Sequence, residues 1–412
     1  MYMKILIIML FFTSLFISVL ANNNFSQWRG PDRDGKYPDK NLLEKWPEQG
    51  PKLLWKVDNI GKGHGSVAVA NNCVYVTGKI KDEGFLHCFD LDGKLLWKSS
   101  YGPEWYKNYP GVRSTPTVAG DEIYLISGTG IVNCFNARTG KIIWTVDMFG
   151  QFSAQETEWG IAESPLVDGN RVICTPGGAE SNIVALNRFN GKPVWISEGY
   201  GEPSAYCSPI LVKYNGTRLI VTMTANSILG IDAETGKVYW RIPQYQKWNI
   251  HADTPLFHEG KIFCISGDSE NSDGAGVFQL SFDGKNVKKV WQNTEADNLI
   301  GGIVLHEGYI YGSRYEKDEW FCVDWNNGSL QYISEDIGGG SIIFADGLFY
   351  CYSERGMLGL VEANATKFEV ISSVKIKCGR GPHWAHPVID KGRIYIRHGE
   401  CLLAFDITDR NK

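Results

Sequence analysis

Phe89-Asp-Leu-Asp-Gly-Lys-Leu-Leu-Trp97, Phe135-Asn-Ala-Arg-Thr-Gly-Lys-Ile-Ile-Trp144, Leu186-Asn-Arg-Phe-Asn-Gly-Lys-Pro-Val-Trp195 and Ile231-Asp-Ala-Glu-Thr-Gly-Lys-Val-Tyr-Trp240 are four copies of one element. A looser fifth runs from Ser281-Phe-Asp-Gly to Val290-Trp291. Counted from Trp55, the Trp-to-Trp steps are 42, 47, 51, 45 and 51 residues. A period of that size fits one four-stranded antiparallel sheet with its turns.

The second copy shows how each unit reads. Thr115-Pro-Thr-Val-Ala is a short strand, Gly120-Asp121 a turn and Glu122-Ile-Tyr-Leu-Ile a second strand. Gly128-Thr-Gly turns into Ile131-Val-Asn-Cys-Phe, and Thr139-Gly140 leads to the outer strand Lys141-Ile-Ile-Trp-Thr. Two units lack the Trp but keep the frame, at Gly302–Asp324 and Ser341–Glu362. An eighth starts at His386-Pro-Val-Ile and stops after Cys401-Leu-Leu-Ala-Phe405, before its outer strand. Lys52-Leu-Leu-Trp55-Lys-Val has no unit of its own and supplies that strand. Pairing the two ends closes the ring and leaves no open sheet edge. The expected fold is all-β, an eight-bladed β-propeller over 52–412, preceded by an N-terminal extension over 22–51 and a signal peptide over 1–21.

The address comes from Lys4, the apolar run Ile5–Leu20 and the small residues before Asn22. That run is shorter than the roughly 20 residues of a spanning helix, so no membrane span is expected in the mature chain. The first Cys is Cys73, so no thiol stands at residue 22 to carry a lipid. The protein is expected to be exported, periplasmic or secreted, and monomeric. A formal net charge of −5 on 412 residues gives no argument for nucleic acid. Ten Cys in an exported chain invite disulfides. However, Cys88, Cys134 and Cys322 recur in one strand context, which points to thiols filling a repeated core slot. The pair to check is Cys73 with Cys88, opposite one another if 79–84 holds the hairpin turn.

In a propeller the innermost strand of each blade lines the axial channel. Pro116, Pro165, Pro209, Pro255 and Pro387, with Val67, set the register. One residue earlier lies a mostly hydroxylic ring of Ser66, Thr115, Ser164, Ser208, Thr254 and His386. Two earlier are Gly65, Ser114, Glu163, Cys207, Asp253 and Ala385. Three earlier are His64, Arg113, Ala162, Tyr206, Ala252 and Trp384. The channel mouth is therefore expected to gather Glu163, Asp253, Arg113, His64, His386 and His251, walled by Trp384, Tyr206 and Trp159. Two carboxylates and a His there offer acid–base chemistry or a cation site; the plain alternative is a hydrated polar lining. Trp28, Trp46, Trp105, Trp159, Trp248 and Trp384 fall outside the repeat register and are free for another use.

The repeated Ala/Phe-x-Asp-x-x-Thr-Gly-Lys-x-x-Trp element resembles the tryptophan-docking motif of the quinoprotein-alcohol-dehydrogenase-like propellers, over residues 28 to 406. Trp28-Arg-Gly-Pro-Asp-Arg-Asp-Gly35 and Glu163-Ser-Pro-Leu-Val-Asp-Gly169 look like signatures of exported bacterial members. The resemblance implies one of two roles. One is a non-enzymatic binding or scaffolding propeller of the cell envelope, related to the propeller of the outer-membrane β-barrel assembly machine. The other is an alcohol or sugar dehydrogenase using pyrroloquinoline quinone and Ca²⁺. For the latter, Glu163 and Asp253 are the metal candidates. Glu163, Asp253 and His386 are the catalytic candidates, and Arg113, Trp159, Tyr206, Trp384 and His64 would surround the cofactor. No Cys-Cys pair and no Cys-x-x-Cys-His haem site is present. A third reading, polysaccharide binding on the channel face, needs coplanar exposed rings. In each case the partner is a protein or small molecule on that face.

Overall fold

The computed structural model describes residues 25–412 except Ser269 and Glu316; the leader expected over 1–21 lies outside the described residues. Eight four-stranded antiparallel sheets stand in a ring, the first seven in the order innermost to outermost along the chain. The first blade comprises Ala68–Ala70, Cys73–Ile80, Glu83–Asp90 and Leu95–Pro103. The eighth comprises Val388–Asp390, Arg393–His398 and Cys401–Asp406, completed by Lys52–Val57 from the other end of the chain. Lys52 faces Asp406 and Val57 faces Leu402, so the expected closure is observed.

The repeated Trp and the glycine of the next blade's last turn hold neighbouring blades together. Trp55 donates from Nε1 to Leu91 O at 2.8 Å, Trp144 to Arg188 O at 2.8 Å and Trp291 to Trp325 O at 2.9 Å. Each acceptor lies in the next blade's last turn. The turn glycine packs flat on the ring: a Cβ on Gly93, Gly191 or Gly328 would overlap Trp55, Trp144 or Trp291. These glycines also sit at positive φ, which a side chain would strain further. The same logic fills the blade core. Tyr75 faces Cys88, Tyr124 faces Cys134 and Tyr311 faces Cys322 across adjacent strands, so the recurring thiol sits beside a recurring tyrosine ring.

Eight of the cysteines are buried, Cys73 and Cys378 are half-buried, and all ten are free. Cys73 faces Asp90, while Tyr75 faces Cys88. Cys73 and Cys88 are therefore diagonal rather than opposite, although the hairpin turn falls at 81–82 as expected. Of the aromatic residues expected to be free, Trp46 and Trp105 are core instead, both essentially inaccessible. Trp105 is held by Asn108 O on its indole N–H, with Gly160 against its ring.

The N-terminal extension departs most from a simple leader to the ring. Phe25–Ser26 pairs antiparallel with Thr117–Ala119 of the second blade, and Lys36–Tyr37 pairs in parallel with Gly340–Ala345 of the seventh. Both partners are innermost strands. The stretch between them, 27–35, therefore crosses the axial channel.

Candidate functional site

The side chains around the axis follow strand alternation. Successive residues of an extended strand point to opposite sides. Positions three before the register residue, His64, Arg113, Ala162, Tyr206, Ala252 and Trp384, all line one cavity of about 230 Å³ at the channel mouth. Trp159, Tyr109, Trp28 and Tyr315 complete its walls. Tyr109 packs on Trp384 with ring centres 4.9 Å apart and tilted by 60°, and on Trp159 at 6.1 Å and 41°. Five predicted lining residues (His64, Arg113, Trp159, Tyr206 and Trp384) are thus brought together. Sequence reasoning missed Tyr109, Ile250, Leu299 and Ile300, which lie in interblade connections, and Tyr315, which lies in the loop between the second and third strands of the sixth blade; no repeat position marks any of them.

Positions one before form a hydrogen-bonded belt. Ser66 N donates to Thr115 Oγ1 at 2.9 Å, Thr115 N to Ser164 Oγ at 2.9 Å and Ser164 N to Ser208 Oγ at 3.0 Å. Ser66 Oγ donates to His386 O at 2.9 Å, joining the last blade to the first. The hydroxyl ring is thus a structural seam between blades. Because Ser164 and Ser208 spend only an acceptor on the belt, each keeps its O–H for the cavity they line.

Positions two before point away from the axis, and this corrects the expectation for the carboxylates. Glu163 and Asp253 are buried and absent from the cavity wall. Glu163 accepts Thr175 N–H at Oε2, 2.8 Å away, and its Oε1 has no hydrogen-bond partner. Burial pushes Glu163 up to about 8 and Asp253 up to about 7, against the pull of Arg33 and Arg29 respectively. His251, another expected mouth residue, is also buried, between Ser266 Oγ and Ala225 O.

The two arginines come from the crossing segment. Arg33 donates from Nη1 to Ser164 O at 3.0 Å and Pro209 O at 2.9 Å, and from Nη2 to Pro165 O. Arg29 donates from Nη2 to Ile303 O and from Nη1 to His386 Nδ1 at 3.0 Å. A Cβ on Gly302 would overlap Arg29, so this glycine in a Trp-less blade makes room for the guanidinium. Trp28 donates from Nε1 to Thr254 Oγ1 at 2.9 Å, and its ring forms part of the cavity floor. His386, expected as a catalytic candidate, is buried beneath Trp28 at 4.6 Å between ring centres. Burial and Arg29 lower it to about 3, and burial and Arg113 lower His64 to about 3.

A Ca²⁺–quinone centre does not fit this arrangement. Calcium needs six to eight converging oxygens, whereas Glu163 and Asp253 stand on separate blades behind the cavity wall. There Glu163 Oε1 and both Asp253 carboxylate oxygens lack a hydrogen-bond partner, and Arg33 and Arg29 supply the opposing charge. Among the described residues no group of three or more His, Cys, Asp or Glu side chains is placed to hold a metal ion.

With the blades and the channel defined, kinship can be read. The family profile described as outer membrane protein assembly factor BamB matches residues 82–333, more than half of the chain. The chain belongs to this family of PQQ-like β-propellers. It is 28% identical over 182 residues to an outer membrane protein assembly factor BamB of Kangiella koreensis, covering 43% of this chain and 42% of that one. With the same factor of Shewanella oneidensis it shares 22% over 309 residues, 72% of this chain and 70% of the relative. The match thus spans less than half the length of the first of these relatives. The BamB structure from Moraxella catarrhalis superposes with a TM-score of 0.62 at 11% identity, over 86% of this chain and 99% of that one. A europium-containing methanol dehydrogenase superposes equally, at 0.62 and 13%, over 92% and 90%. At these identities the structures speak for the fold alone.

Proposed function

We propose that this chain is an exported binding or scaffolding propeller of the cell envelope, which engages a partner protein through the channel face and performs no quinone chemistry. The observation that carries the reading is the crossing segment 27–35, which sets Arg29 and Arg33 beside Asp253 and Glu163. The carboxylates that a metal centre would require lie instead within the electrostatic reach of that segment's arginines.

The face opposite the entry of Phe25 supports the partner side of the reading. Loops joining an outer strand to the next innermost strand surround the mouth. They carry Tyr106, Tyr109, Tyr245 and Trp248, each at least half exposed. Aromatic residues are enriched where proteins dock, because a rigid ring buries much area at little entropic cost. The 230 Å³ cavity in their midst is smaller than usual small-molecule sites and suits one inserted side chain. Its tilted rings offer no flat platform for a sugar. The BamB relatives, named as assembly factors, agree with a protein partner. Export is supported by the 1–21 leader, and among the described residues no helix is long and apolar enough to cross a membrane.

The test is a thermal melt of the mature protein with and without pyrroloquinoline quinone plus Ca²⁺. A ligand at 100 times its dissociation constant adds about 2.7 kcal/mol, a visible shift. No shift is expected here. A shift abolished by Glu163→Gln and Asp253→Asn would replace the proposal with the dehydrogenase reading. Capture of an envelope protein by the wild type but not by Tyr109→Ala/Trp248→Ala, at equal melting temperature, is the positive arm.

A further inference from the structure

The eighth blade holds a sulfur pair that none of the foregoing uses. Cys378 lies between the outer strand Val370–Lys375 of the seventh blade and the eighth blade, and Cys401 begins the strand Cys401–Asp406. The backbone on both sides interlocks. A Cβ on Gly379 would overlap His398 O, and one on Gly399 would overlap Arg380 O. The segment after Cys378 therefore lies against the hairpin that presents Cys401. Cys378 packs against the core cluster that holds Cys401, close enough for the two thiols to perturb each other, and Cys401 donates from Sγ to Asp58 Oδ1 at 2.9 Å. Asp58 directly follows Lys52–Val57, the strand that closes the ring. Three parts of the chain thus meet at this sulfur pair: the seventh blade's exit, the last strand and the closing N-terminal strand.

We propose that Cys378 and Cys401 form a disulfide when the protein meets a disulfide donor, locking the blade that closes the ring. The less buried Cys378 is the first nucleophile. Its thiolate attacks a donor sulfur, forms a mixed disulfide and expels one donor thiolate. The Cys401 sulfur then attacks Cys378 and expels the second donor thiolate, while the Cys401 proton passes to the Asp58 carboxylate and on to solvent. The protons given up by Cys378 and Cys401 thus return from solvent to the two donor thiolates. Two electrons leave the protein's thiols and the donor is reduced to two thiols. Cys73 and Cys88 also bring their thiols side by side, but they lie diagonally within one blade, and neither donates to a carboxylate as Cys401 does.

The proposal concerns the geometry; that the cross-link arises in the cell rests in addition on the export reading. Purified full-length protein is equilibrated with glutathione and glutathione disulfide, denatured without reductant, alkylated and mapped by mass spectrometry. Eight of the ten cysteines are expected to take the label before reduction and all ten after it, with Cys378 and Cys401 the late pair. Cys378→Ser, a half-buried and volume-conserving change, should leave Cys401 labelled in the first step. Full labelling of both residues after equilibration with glutathione disulfide would overturn the proposal. If the bond forms in that buffer but is absent from protein taken directly from the cells, the proposal stands and the export reading fails.

Discussion

His386 Nδ1 accepts a hydrogen bond from Arg29 Nη1 at 3.0 Å, while Nε2 of the same ring faces Ile300 O at 3.1 Å. The carbonyl requires a proton on Nε2 and the guanidinium requires a lone pair on Nδ1, so the partners fix the neutral tautomer. A proton on Nδ1 would turn the bond into a repulsion in a buried site. The crossing segment is therefore fastened by an imidazole that must stay uncharged.

The first consequence is an acid limb in stability. Burial, then Arg29, lowers His386 to about 3 in the folded state, against about 6.5 unfolded. His64 and His251 are lowered too, to about 3 and about 4, chiefly by burial. A lowered folded pKa means that the unfolded chain takes up protons first, so stability is lost as pH falls below about 6.5. The melting temperature should drop between pH 6.5 and pH 4. His386→Gln, whose amide oxygen can still accept from Arg29, should make that drop shallower. An unchanged slope in the variant would mean that His386 is charged in the native protein.

Glu163 gives the opposite limb. Its folded value, raised to about 8 chiefly by burial, stands above the ordinary value near 4.5. The unfolded chain releases this proton first, so the contribution of Glu163 to stability is fully present below about pH 4.5 and declines toward pH 8. Asp253 adds to the same decline up to about 7. Glu163→Gln mimics the protonated side chain and should flatten the fall between pH 5 and pH 8 in urea titrations. Equal slopes for wild type and variant would show an ionised Glu163 paired with Arg33.

The ring, its blade number and its closure were legible in the sequence because a packing unit repeated eight times leaves the same residues at the same offsets. The cavity was legible for a related reason: all six positions three before the register residue line it. The carboxylates were misplaced at the mouth because offsets alone do not say which way a side chain points. Alternation turns Glu163 and Asp253 away from the axis, with His64, Arg113, Ser164 and Thr254 facing it. The crossing segment was hidden for another reason. Trp28 to Gly35 occurs once, outside any repeat, and its strand pairing is two residues long at each end. Nothing local in the sequence says that Arg29 and Arg33 reach carbonyls more than 130 residues away.

A blade-joining Trp and a cavity Trp should respond differently to truncation. Trp144 is nearly inaccessible, packs on Gly191 and donates to Arg188 O. Trp144→Ala removes a full ring from the contact of two blades and should cost about 3–5 kcal/mol in chemical unfolding. Trp384 already borders an open cavity, so Trp384→Ala should cost clearly less and enlarge the cavity. Equal losses would mean that Trp384 is a blade-joining residue as well.

Arg33 provides the sharpest test of the crossing segment. Its guanidinium is buried, is lowered to about 9 by that burial, and satisfies the carbonyls of Ser164, Pro165 and Pro209 across two blades. Arg33→Met keeps the length of the side chain and removes every donor. Ser164 O and Pro209 O then lose this partner, at about 1–3 kcal/mol for a buried acceptor left unsatisfied, while Pro165 O keeps the Thr117 hydroxyl. Glu163 loses its nearest cation at the same time. The loss should therefore exceed about 3 kcal/mol at pH 8 and shrink at pH 5, where Glu163 is protonated and needs no counter-charge. Glu163→Gln in the same chain should recover part of the pH 8 loss, since it removes the charge left without a partner. If Arg33→Met unfolds with wild-type stability at both pH values, the segment does not fasten the channel, and the carboxylates beneath it are open to another cation.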